Sequence, residues 1–326
     1  MFEDLSKRTH FFFSSTFVPT GIVFNFLTIL IFQSKSFNGS NIRIFYTALA
    51  LYDNLALMNS IVFIQLLPSL DIDYALENDS SCKWLMLWRR TVIQSPSWIQ
   101  VILTYDRFKQ VVFPGKYKIE KTAYLICKFV SVFFILLLFN ITHFWYFLKE
   151  NRTIVYQKIN NQTINSTRVT FTCTSTESVL TVANSMLITL RCYVPFLVMF
   201  ILNIFMVRKF ILTKKNLKKG DSKMRKEYYF TFSVLTMNLI FIILFIPWTV
   251  WHIMSLALYD ELSKSKELRN QMNLFQSISL SIAYVNCFKS FFVNVIINKK
   301  FFKVLMHSYL KKSISSVRSY TSSYFN

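Results

Sequence analysis

The sequence predicts an all-α membrane protein: a seven-transmembrane helix bundle with its N-terminus outside the cell and a short amphipathic helix after helix 7. Three observations support this prediction. The 326 residues are 53% hydrophobic, have a mean hydropathy of +0.37 and include only 4 glycines. The apolar residues gather in seven runs, each long enough to cross about 30 Å of hydrocarbon. Most Lys and Arg residues lie between these runs, where loops would meet water.

Seven segments have the length and composition of membrane-spanning helices. The first contains no charged residue from Phe11 to Gln33, and it is too long for a cleaved signal peptide and lacks a small-residue cleavage site. We therefore predict a short extracellular N-terminus (1–10), a transmembrane domain (11–297), and a cytoplasmic amphipathic helix with its tail (298–326). The predicted spans are residues 11–33, 44–68, 84–107, 124–148, 179–207, 228–257 and 271–297.

The loop charges set the orientation of the bundle. With the N-terminus outside, the cytoplasmic segments hold 22 Lys and Arg residues and the outer segments hold 10. Excess positive charge stays on the cytoplasmic side, which favours this orientation. Four glycosylation sequons fall on the predicted outer side, although a further one, at Asn38, falls inside. The four candidate glycosylation sites are Asn78, Asn151, Asn161 and Asn165.

This topology predicts that a tag placed after Asn326 faces the cytoplasm. An antibody should reach that tag only after the cells are permeabilised, because the seven spans would bring the tail inside. Immunofluorescence of intact and permeabilised cells makes the measurement, with a tag before Met1 as the outer control. Labelling of the tail on intact cells would contradict the orientation.

Composition and motifs argue against two other classes of function. The net charge of +21 would suit nucleic-acid binding only if the basic residues covered one folded surface, and here apolar runs separate them. The sequence has no Gly-rich phosphate loop, no His-Glu-x-x-His, no Gly-x-Ser-x-Gly and no Cys-x-x-Cys. We therefore predict no enzyme activity, no cofactor, no metal and no nucleic-acid partner.

The third span ends in Thr104-Tyr105-Asp106-Arg107-Phe108. The segment resembles the Asp-Arg-Tyr motif of rhodopsin-like (class A) G-protein-coupled receptors, with Phe in place of Tyr. Cys82 lies 25 residues before Arg107 and Pro114 lies seven residues after it, which are the spacings of that family. The resemblance covers about residues 18–305, and further signature positions are filled by Asn25, Asp53, Pro195 and Pro247.

The resemblance implies a receptor of the plasma membrane that binds an extracellular ligand and activates a heterotrimeric G protein. Receptor kinases and arrestin would be further partners, acting on the Ser- and Thr-rich tail, and membrane lipids would contact the amphipathic helix. Two strand-like runs, Thr153–Ile159 and Arg168–Cys173, flank a polar turn at 160–167. A hairpin here is similar to the second outer loop of peptide receptors, whereas a disordered glycosylated loop is the alternative.

Cys82 and Cys173 are the two cysteines on the predicted outer side. That side matures in an oxidising compartment, so a disulfide between them is allowed. The family resemblance places this bridge between the top of the third span and the second outer loop. Cys127, Cys192 and Cys287 lie within spans and are interpreted as small apolar residues.

Charged and aromatic side chains in the outer half predict a ligand site. Arg89 lies 18 residues before Arg107, five whole helical turns, so both are expected on the interior-facing side of the third span. Arg191 lies one turn outside Pro195. Charges within a membrane usually face a cavity or a partner, so we expect these arginines to recognise a ligand carboxylate or another anion. Snorkelling toward the interface is the alternative, especially for Arg90. The candidate ligand-binding residues are Arg89, Gln94, Arg191, Trp248, Trp251 and His252.

The resemblance also implies a switch at the inner end. Glu227 lies twenty residues before Pro247 and would pair with Arg107 in the resting state. Opening of the sixth span would release Arg107 for the G protein; a solvated charge pair is the alternative. The candidate coupling residues are Asp106, Arg107, Glu227, Phe245 and Pro247, with Phe245 standing where the family usually has Trp.

The seventh span departs most from the family pattern. Its inner part reads Lys289-Ser290-Phe291-Phe292-Val293 where Asn-Pro-x-x-Tyr is usual, so the inner switch is unusual for the family. Lys289 and Asp53 are both expected near the middle of the membrane. An isolated buried ammonium is strongly disfavoured, so we predict an internal salt bridge between Lys289 and Asp53, in place of the sodium ion that the family resemblance would imply.

Four other kinds of protein could also have seven spans or a receptor-like fold. A transporter or channel with seven spans would show repeats or interrupted helices around a substrate site, and neither is apparent in the sequence. An inverted chemoreceptor channel conflicts with the loop charges. An opsin is disfavoured because Lys289 lies about six residues too late and Ala283 aligns with the retinal-binding position. A receptor-like fold that no longer couples stays open.

Overall fold

The computed structural model describes residues 2–38, 41–60, 76–114, 116–117, 120–159, 162–214 and 222–307. This part of the chain is a helix bundle with one antiparallel β-hairpin. Its helices are, in order, α1 (Phe2–Phe32), α2 (Asn41–Ser60), α3 (Asp79–Val112), α4 (Thr122–Phe139), α5 (Glu177–Ile188), α6 (Val194–Lys214), α7 (Ser222–Ala257), α8 (Tyr259–Lys264), α9 (Lys266–Val285), α10 (Lys289–Ile297) and α11 (Lys299–Leu305). The strands are β1 (Phe147–Ile159) and β2 (Gln162–Thr174).

Each predicted span corresponds to a helix or to two joined helices. The first four spans are α1 to α4, the fifth is α5 with α6, the sixth is α7, and the seventh is α9 with α10. Helix α1 begins at Phe2, so it continues into the segment predicted as an outer N-terminus. Residues 61–68, the predicted end of the second span, lie outside the described part of the chain.

Length and composition alone select fewer spans than the sequence analysis did. Four described segments pass such a test, and the bent pair α9–α10 makes a fifth. Helices α2 and α3 do not pass it. The described part of α2 ends at Ser60, before the apolar residues 61–68 of the predicted span, and the test covers described residues only. Helix α3 carries polar side chains that are buried inside the bundle, such as Gln94 and Gln100, and such residues lower its mean hydropathy without facing lipid.

The surface of the bundle that faces away from its core is strongly apolar. Phe134 and Leu138 of α4 are 58% and 64% exposed, and Leu239 and Ile243 of α7 are 57% and 55% exposed. Soluble monomers rarely expose contiguous apolar surface of this extent. These side chains therefore belong in contact with lipid, while the polar residues of the same helices turn inward.

Aromatic side chains form much of the core. The ring of Phe32 in α1 stacks on Tyr46 in α2 with centroids 4.5 Å apart, and Phe24 stacks on Phe291 of α10 at 4.7 Å. Gly21 allows α1 to come close to its neighbours, because a Cβ at this position would lie 2.6 Å from Phe288 and 2.8 Å from Leu57. The first, second and seventh spans consequently pack as one unit.

The fifth span contains a π-helical turn, Thr189–Tyr193, between α5 and α6. The extra residue of such a turn changes which side chains face inward, and the three consecutive residues Leu190, Arg191 and Cys192 are all buried. Trp98 of α3 donates its indole N–H to the Leu190 carbonyl at 2.8 Å. This contact satisfies one carbonyl at the irregular turn and fixes the fifth span against α3.

The seventh span is interrupted between α9 and α10, which meet at a 45° bend. No proline lies at this point, although proline is the usual cause of a sharp kink. Two side chains instead bind carbonyls at the break. Asn25 Nδ2 donates to the Cys287 carbonyl at 2.9 Å, and Lys289 Nζ donates to the Asn286 carbonyl at 3.3 Å. Polar side chains thereby satisfy backbone groups that the interrupted helix leaves unpaired.

The predicted hairpin is confirmed, and its strands are longer than expected. Phe147–Ile159 pairs antiparallel with Gln162–Thr174, so residues 162–167, predicted as part of the turn, belong to the second strand. The disulfide between Cys82 and Cys173 is confirmed as well, with Cα atoms 5.7 Å apart. A second anchor is the Leu148 amide, which donates to Asp79 Oδ1 at 2.8 Å. Both contacts hold the hairpin to the first turns of α3.

The amphipathic helix after the seventh span is confirmed as α11. Asn298 caps it by accepting a hydrogen bond from the Phe301 amide at 3.2 Å. The Phe301 side chain is fully buried against Phe32 and Phe291, whereas Lys299 and Lys300 are exposed. The helix thus buries Phe301, while the Lys300 ammonium lies over the ring of Phe37 at 4.8 Å from its centroid.

Because the bridge joins Cys82 and Cys173 into one structural unit, their substitutions should not act independently. Either Cys→Ala change should reduce surface expression, and the double change should reduce it little further. Flow cytometry of an outer tag, with Cys127→Ala as the control for loss of an unbridged cysteine, makes the measurement. Additive losses would contradict a functional bridge.

Candidate ligand-binding and signalling sites

We call the end of the bundle that carries the disulfide the outer end, and the end that carries Asp106 the inner end, following the predicted topology. Arg191 is the most unusual residue of the outer half. It is only 3% exposed, because the π-helical turn directs it into the bundle. Its guanidinium lies over the ring of Phe245 in α7, with the central carbon 5.2 Å from the ring centroid. Within the described residues, its Nε has no hydrogen-bond partner.

The two arginines of α3 lie near the same region. Arg89 and Arg90 are both half-buried. Arg90 donates to Asn184 Oδ1 of α5 at 3.2 Å, so it is tied to the fifth span and does not only reach for the interface. Arg89 and Arg191 are both within electrostatic range of Arg90 and of Tyr284 in α9. Three cationic groups therefore converge between the third, fifth and seventh spans.

Trp248, Trp251 and His252 line the neighbouring turn of α7. The two indoles pack with centroids 4.9 Å apart, and the His252 ring lies 6.4 Å from Trp251. Trp248 is 6% exposed and His252 is 7% exposed. The indole N–H of Trp248 has no acceptor among the described residues. A second buried donor thus accompanies Arg191 in this part of the bundle.

Gln94 makes its side-chain hydrogen bonds within the bundle. Its amide forms two reciprocal hydrogen bonds with Asn140 at the end of α4: Gln94 Nε2 donates to Asn140 Oδ1 at 3.1 Å, and Asn140 Nδ2 donates to Gln94 Oε1 at 3.0 Å. Both residues are buried. The side chain thus joins the third span to the fourth, and its role in ligand binding stays a prediction.

A cavity of about 620 Å³ opens beside the hairpin and the start of α5. None of the predicted ligand residues lines it. Its walls mix one cation, one carboxylate and several hydroxyls, and Glu177 at its edge accepts a hydrogen bond from Tyr259 of α8. The lining residues are Phe147, Lys149, Thr172, Thr174, Ser175, Thr176, Glu177 and Leu180. We regard it as a vestibule of the outer surface, distinct from the arginine cluster.

At the inner end, Asp106 binds Arg107 and Tyr117. Arg107 is 1% exposed and its Nη2 lies 2.6 Å from Asp106 Oδ2. Tyr117, in the loop that follows α3, donates to Asp106 Oδ1 at 3.2 Å. Burial and the nearby negative charge of Asp106 raise the pKa of Tyr117 to about 12, so the phenol stays protonated and keeps donating. The loop is thereby fastened to the end of the third span.

Glu120 makes a second connection on this side. Its carboxylate accepts hydrogen bonds from Lys109 at 2.8 Å and from Lys128 of α4 at 2.7 Å. Partial burial alone would raise the pKa of Glu120, but the two ammonium groups outweigh burial and the pKa is lowered. The carboxylate therefore stays ionised and links the inner ends of α3 and α4.

The other predicted switch residues belong to α7. Phe245 is buried at 4% exposure beneath Arg191, and Pro247 lies within the same helix. Glu227 is part of α7, but its side chain lies outside the described part of the chain, so its pairing with Arg107 stays a prediction.

Three of the four candidate glycosylation sites also stay predictions. The side chains of Asn151 and Asn165, and the whole of Asn161, lie outside the described part of the chain. Asn78 is exposed and caps α3 by accepting from the Ser81 amide.

The predicted ion pair between Asp53 and Lys289 is not formed. Both residues are buried, at 3% and 5% exposure, and they are within electrostatic range of each other. The Lys289 ammonium nevertheless donates to Gln100 Oε1 at 2.8 Å and to Asn286 Oδ1 at 2.6 Å. Neutral amides satisfy the ammonium without bringing a second ion into contact. The prediction was correct in placing Lys289 inside the bundle and wrong about its partner.

Sequence reasoning missed the amides that surround Lys289. Gln100 Nε2 donates to Asn238 Oδ1 of α7 at 2.8 Å, and Asn238 Nδ2 donates to Asn203 Oδ1 of α6 at 2.9 Å and to Thr104 Oγ1 at 3.1 Å. One available signal was the two amides Gln100 and Asn238, which lie within predicted spans. Such residues rarely face lipid, so they could have been expected to face each other.

A seven-helix membrane bundle with a disulfide between its third helix and an outer hairpin, and with an Asp-Arg pair at the inner end of that helix, is the architecture of a cell-surface receptor. The family model described as 7 transmembrane receptor (rhodopsin family) matches residues 24–289. The chain therefore belongs to the rhodopsin family of receptors and is a multi-pass protein of the plasma membrane. No curated protein matches the chain.

The reciprocal amide pair predicts how Gln94 and Asn140 respond to substitution. Gln94→Leu alone should lower stability by about 1–3 kcal/mol, because it leaves buried groups of Asn140 unsatisfied. Gln94→Leu with Asn140→Leu should recover part of that loss, since both partners are then apolar. Thermal unfolding of the purified receptor in detergent makes the comparison. A double variant that is less stable than the sum of the single losses would contradict the pairing.

Proposed function

We propose that this receptor binds an extracellular ligand that carries an anionic group, a peptide carboxylate or a small organic anion, and that it then activates a heterotrimeric G protein. The observation that carries the proposal is the buried Arg191 guanidinium, whose Nε has no partner among the described residues. A buried charge is expensive unless it is paired. An anion arriving from outside would supply the missing partner.

The neighbours of Arg191 support the same ligand class. Arg89 and Arg90 add positive charge to this region, and like charges within a low-dielectric interior repel one another. A ligand carboxylate placed among them would relieve that repulsion and could accept two parallel hydrogen bonds from a guanidinium. The Trp248 N–H is a further donor, and the rings of Trp251 and Phe245 supply apolar surface for the rest of the ligand.

The inner end supports coupling to a G protein. Arg107 is held by Asp106 in a buried pair, and the loop after α3 is fastened to the same carboxylate by Tyr117. Outward motion of α7 would uncover this region, in the manner of a rigid-body switch. The predicted Arg107–Glu227 pair would add a second restraint. Arrestin and receptor kinases remain proposed partners of the tail.

A receptor that no longer couples is the second candidate, and one observation favours it. The seventh span bends without proline and holds a lysine at the bend, so its inner part departs from the family pattern. A transporter or channel is set aside, because the family match identifies a receptor.

The ligand proposal predicts that Arg191→Met abolishes or strongly weakens the response. Cells carrying a panel of G-protein activation sensors would be screened with peptide pools that have a free C-terminal carboxylate and with the same pools amidated. Only the carboxylate pools should activate the wild type. Arg191→Met should lower potency by about 30-fold or more, because truncating one partner of a buried charge pair costs about 2–5 kcal/mol.

The matched control for this test is Lys264→Met, which removes an exposed cation on the same side of the membrane. It should leave potency within about twofold, since exposed charges contribute little. Equal activation by carboxylate and amidated pools would show that the ligand is not recognised through its anionic group. A surface-expressed receptor that activates no sensor with any pool would favour the receptor that does not couple.

A further inference from the structure

The amides around Lys289 form a continuous chain across the centre of the bundle. We define the polar lock as Lys289, Gln100, Asn238 and Asn203, with Thr104 as a side branch. Its bonds run from α10 to α3 at 2.8 Å, from α3 to α7 at 2.8 Å, and from α7 to α6 at 2.9 Å. Gln100, Thr104 and Asn238 are at most 1% exposed, so water does not compete for these bonds.

The ammonium sets the direction of every bond in this chain. Lys289 can only donate, so Gln100 must present its amide oxygen to the ammonium. The Gln100 NH₂ group then faces Asn238, which must present its own oxygen in turn. Asn238 is left with its NH₂ group directed at Asn203 and Thr104. Hydrogen bonds aligned in one direction polarise one another, and a charged donor at the head of the chain strengthens the first of them.

The polar lock joins α7, the helix that would move on activation, to α3 and α6, which would keep their positions. Asn238 belongs to α7, whereas its partners Gln100 and Thr104 belong to α3 and Asn203 belongs to α6. An outward shift of α7 would separate Asn238 from these partners at once. Their polar atoms would then be stranded in an apolar interior unless water entered.

We propose that the polar lock holds α7 against α3 in the resting receptor, and that Lys289 is the residue that keeps the lock ordered. Lys289 thus acts as a fixed internal cation and a positioning residue for the sixth span. The part of this inference that concerns signalling rests on the proposed function. The restraint on α7 is inferred from the contacts alone.

The test measures the distance between the inner ends of α3 and α7 in the ligand-free receptor. Spin labels at Val112→Cys and Lys226→Cys, in a Cys127→Ser background, report that distance by double electron–electron resonance in lipid nanodiscs. The parent should show one dominant short-distance population. Asn238→Leu and Lys289→Met should each enlarge the long-distance population about fivefold, the effect of losing roughly one net hydrogen bond.

Two further variants act as matched controls. Lys289→Gln keeps a side-chain donor but can also turn its amide oxygen toward Gln100, so it should enlarge the long-distance population by less than Lys289→Met does. Ser95→Ala removes a buried hydroxyl of α3 whose one partner among the described residues is the Thr91 carbonyl of its own helix, and it should leave the distances unchanged. If Asn238→Leu does not fold, Asn203→Leu, which removes a single bond of the lock, should show the same shift with a smaller amplitude.

Basal G-protein activation provides the second readout, and it should rise with the long-distance population. Unchanged distances in Asn238→Leu and Lys289→Met, with lower thermal stability only, would overturn the proposal and leave the amides as structural contacts. A shift in distance without activation of any G protein would support the lock and count against coupling. The experiment can therefore contradict the polar lock without contradicting coupling to a G protein, and the reverse.

Discussion

The burial of polar groups away from water is the constraint on which the rest of this structure depends. In lipid, a side chain or backbone group that leaves its partner cannot turn to solvent, so polar residues must find one another. Asn25 does so at the break in the seventh span, Gln94 at Asn140, and Lys289 at Gln100 and Asn286. The positions at which helices bend, and the faces with which they meet, follow from these pairings.

Much of the architecture could be predicted because it depends on local properties of the chain. The lengths of the apolar runs locate the spans, and the positions of Cys82 and Cys173 relative to the spans locate the bridge that the structure confirms. The amphipathic helix is recognisable because Lys300 and Lys303 flank Phe301 and Phe302 in the sequence. A test by length and hydropathy alone misses α3, because the polar side chains of this helix face the interior.

The details of the site could not be predicted in the same way, because they depend on which side chains meet across helices. The sequence contains one acid expected at mid-membrane, so Asp53 was the natural partner for Lys289. In the structure, Gln100 and Asn286 place amide oxygens closer to the ammonium. Neutral acceptors also avoid desolvating a second ion, a cost that often cancels the attraction within a buried ion pair. The π-helical turn that directs Arg191 inward has no sequence signature comparable to proline.

The polar lock and the region around Arg191 therefore differ in how completely their side-chain polar groups are satisfied. The amides of the lock bind one another, whereas Arg191 Nε and the Trp248 N–H have no partner among the described residues. One stripe of α7 connects the two regions. Its residues Phe245, Phe241 and Asn238 are spaced four and three apart, which places them on one helical face.

Two cations contact this stripe, one at Phe245 and one at Phe241. Arg191 lies 5.2 Å from the ring of Phe245, the rings of Phe245 and Phe241 are 4.7 Å apart, and Lys289 lies 5.5 Å from the ring of Phe241. A cation–π contact contributes only about 0.5–2 kcal/mol, so neither contact alone would hold the helix. A ligand can shift α7 only by as much as its own contacts differ between the two positions of that helix. An anion that draws the guanidinium away from Phe245 changes one end of the stripe, and a rigid helix carries that change to Asn238.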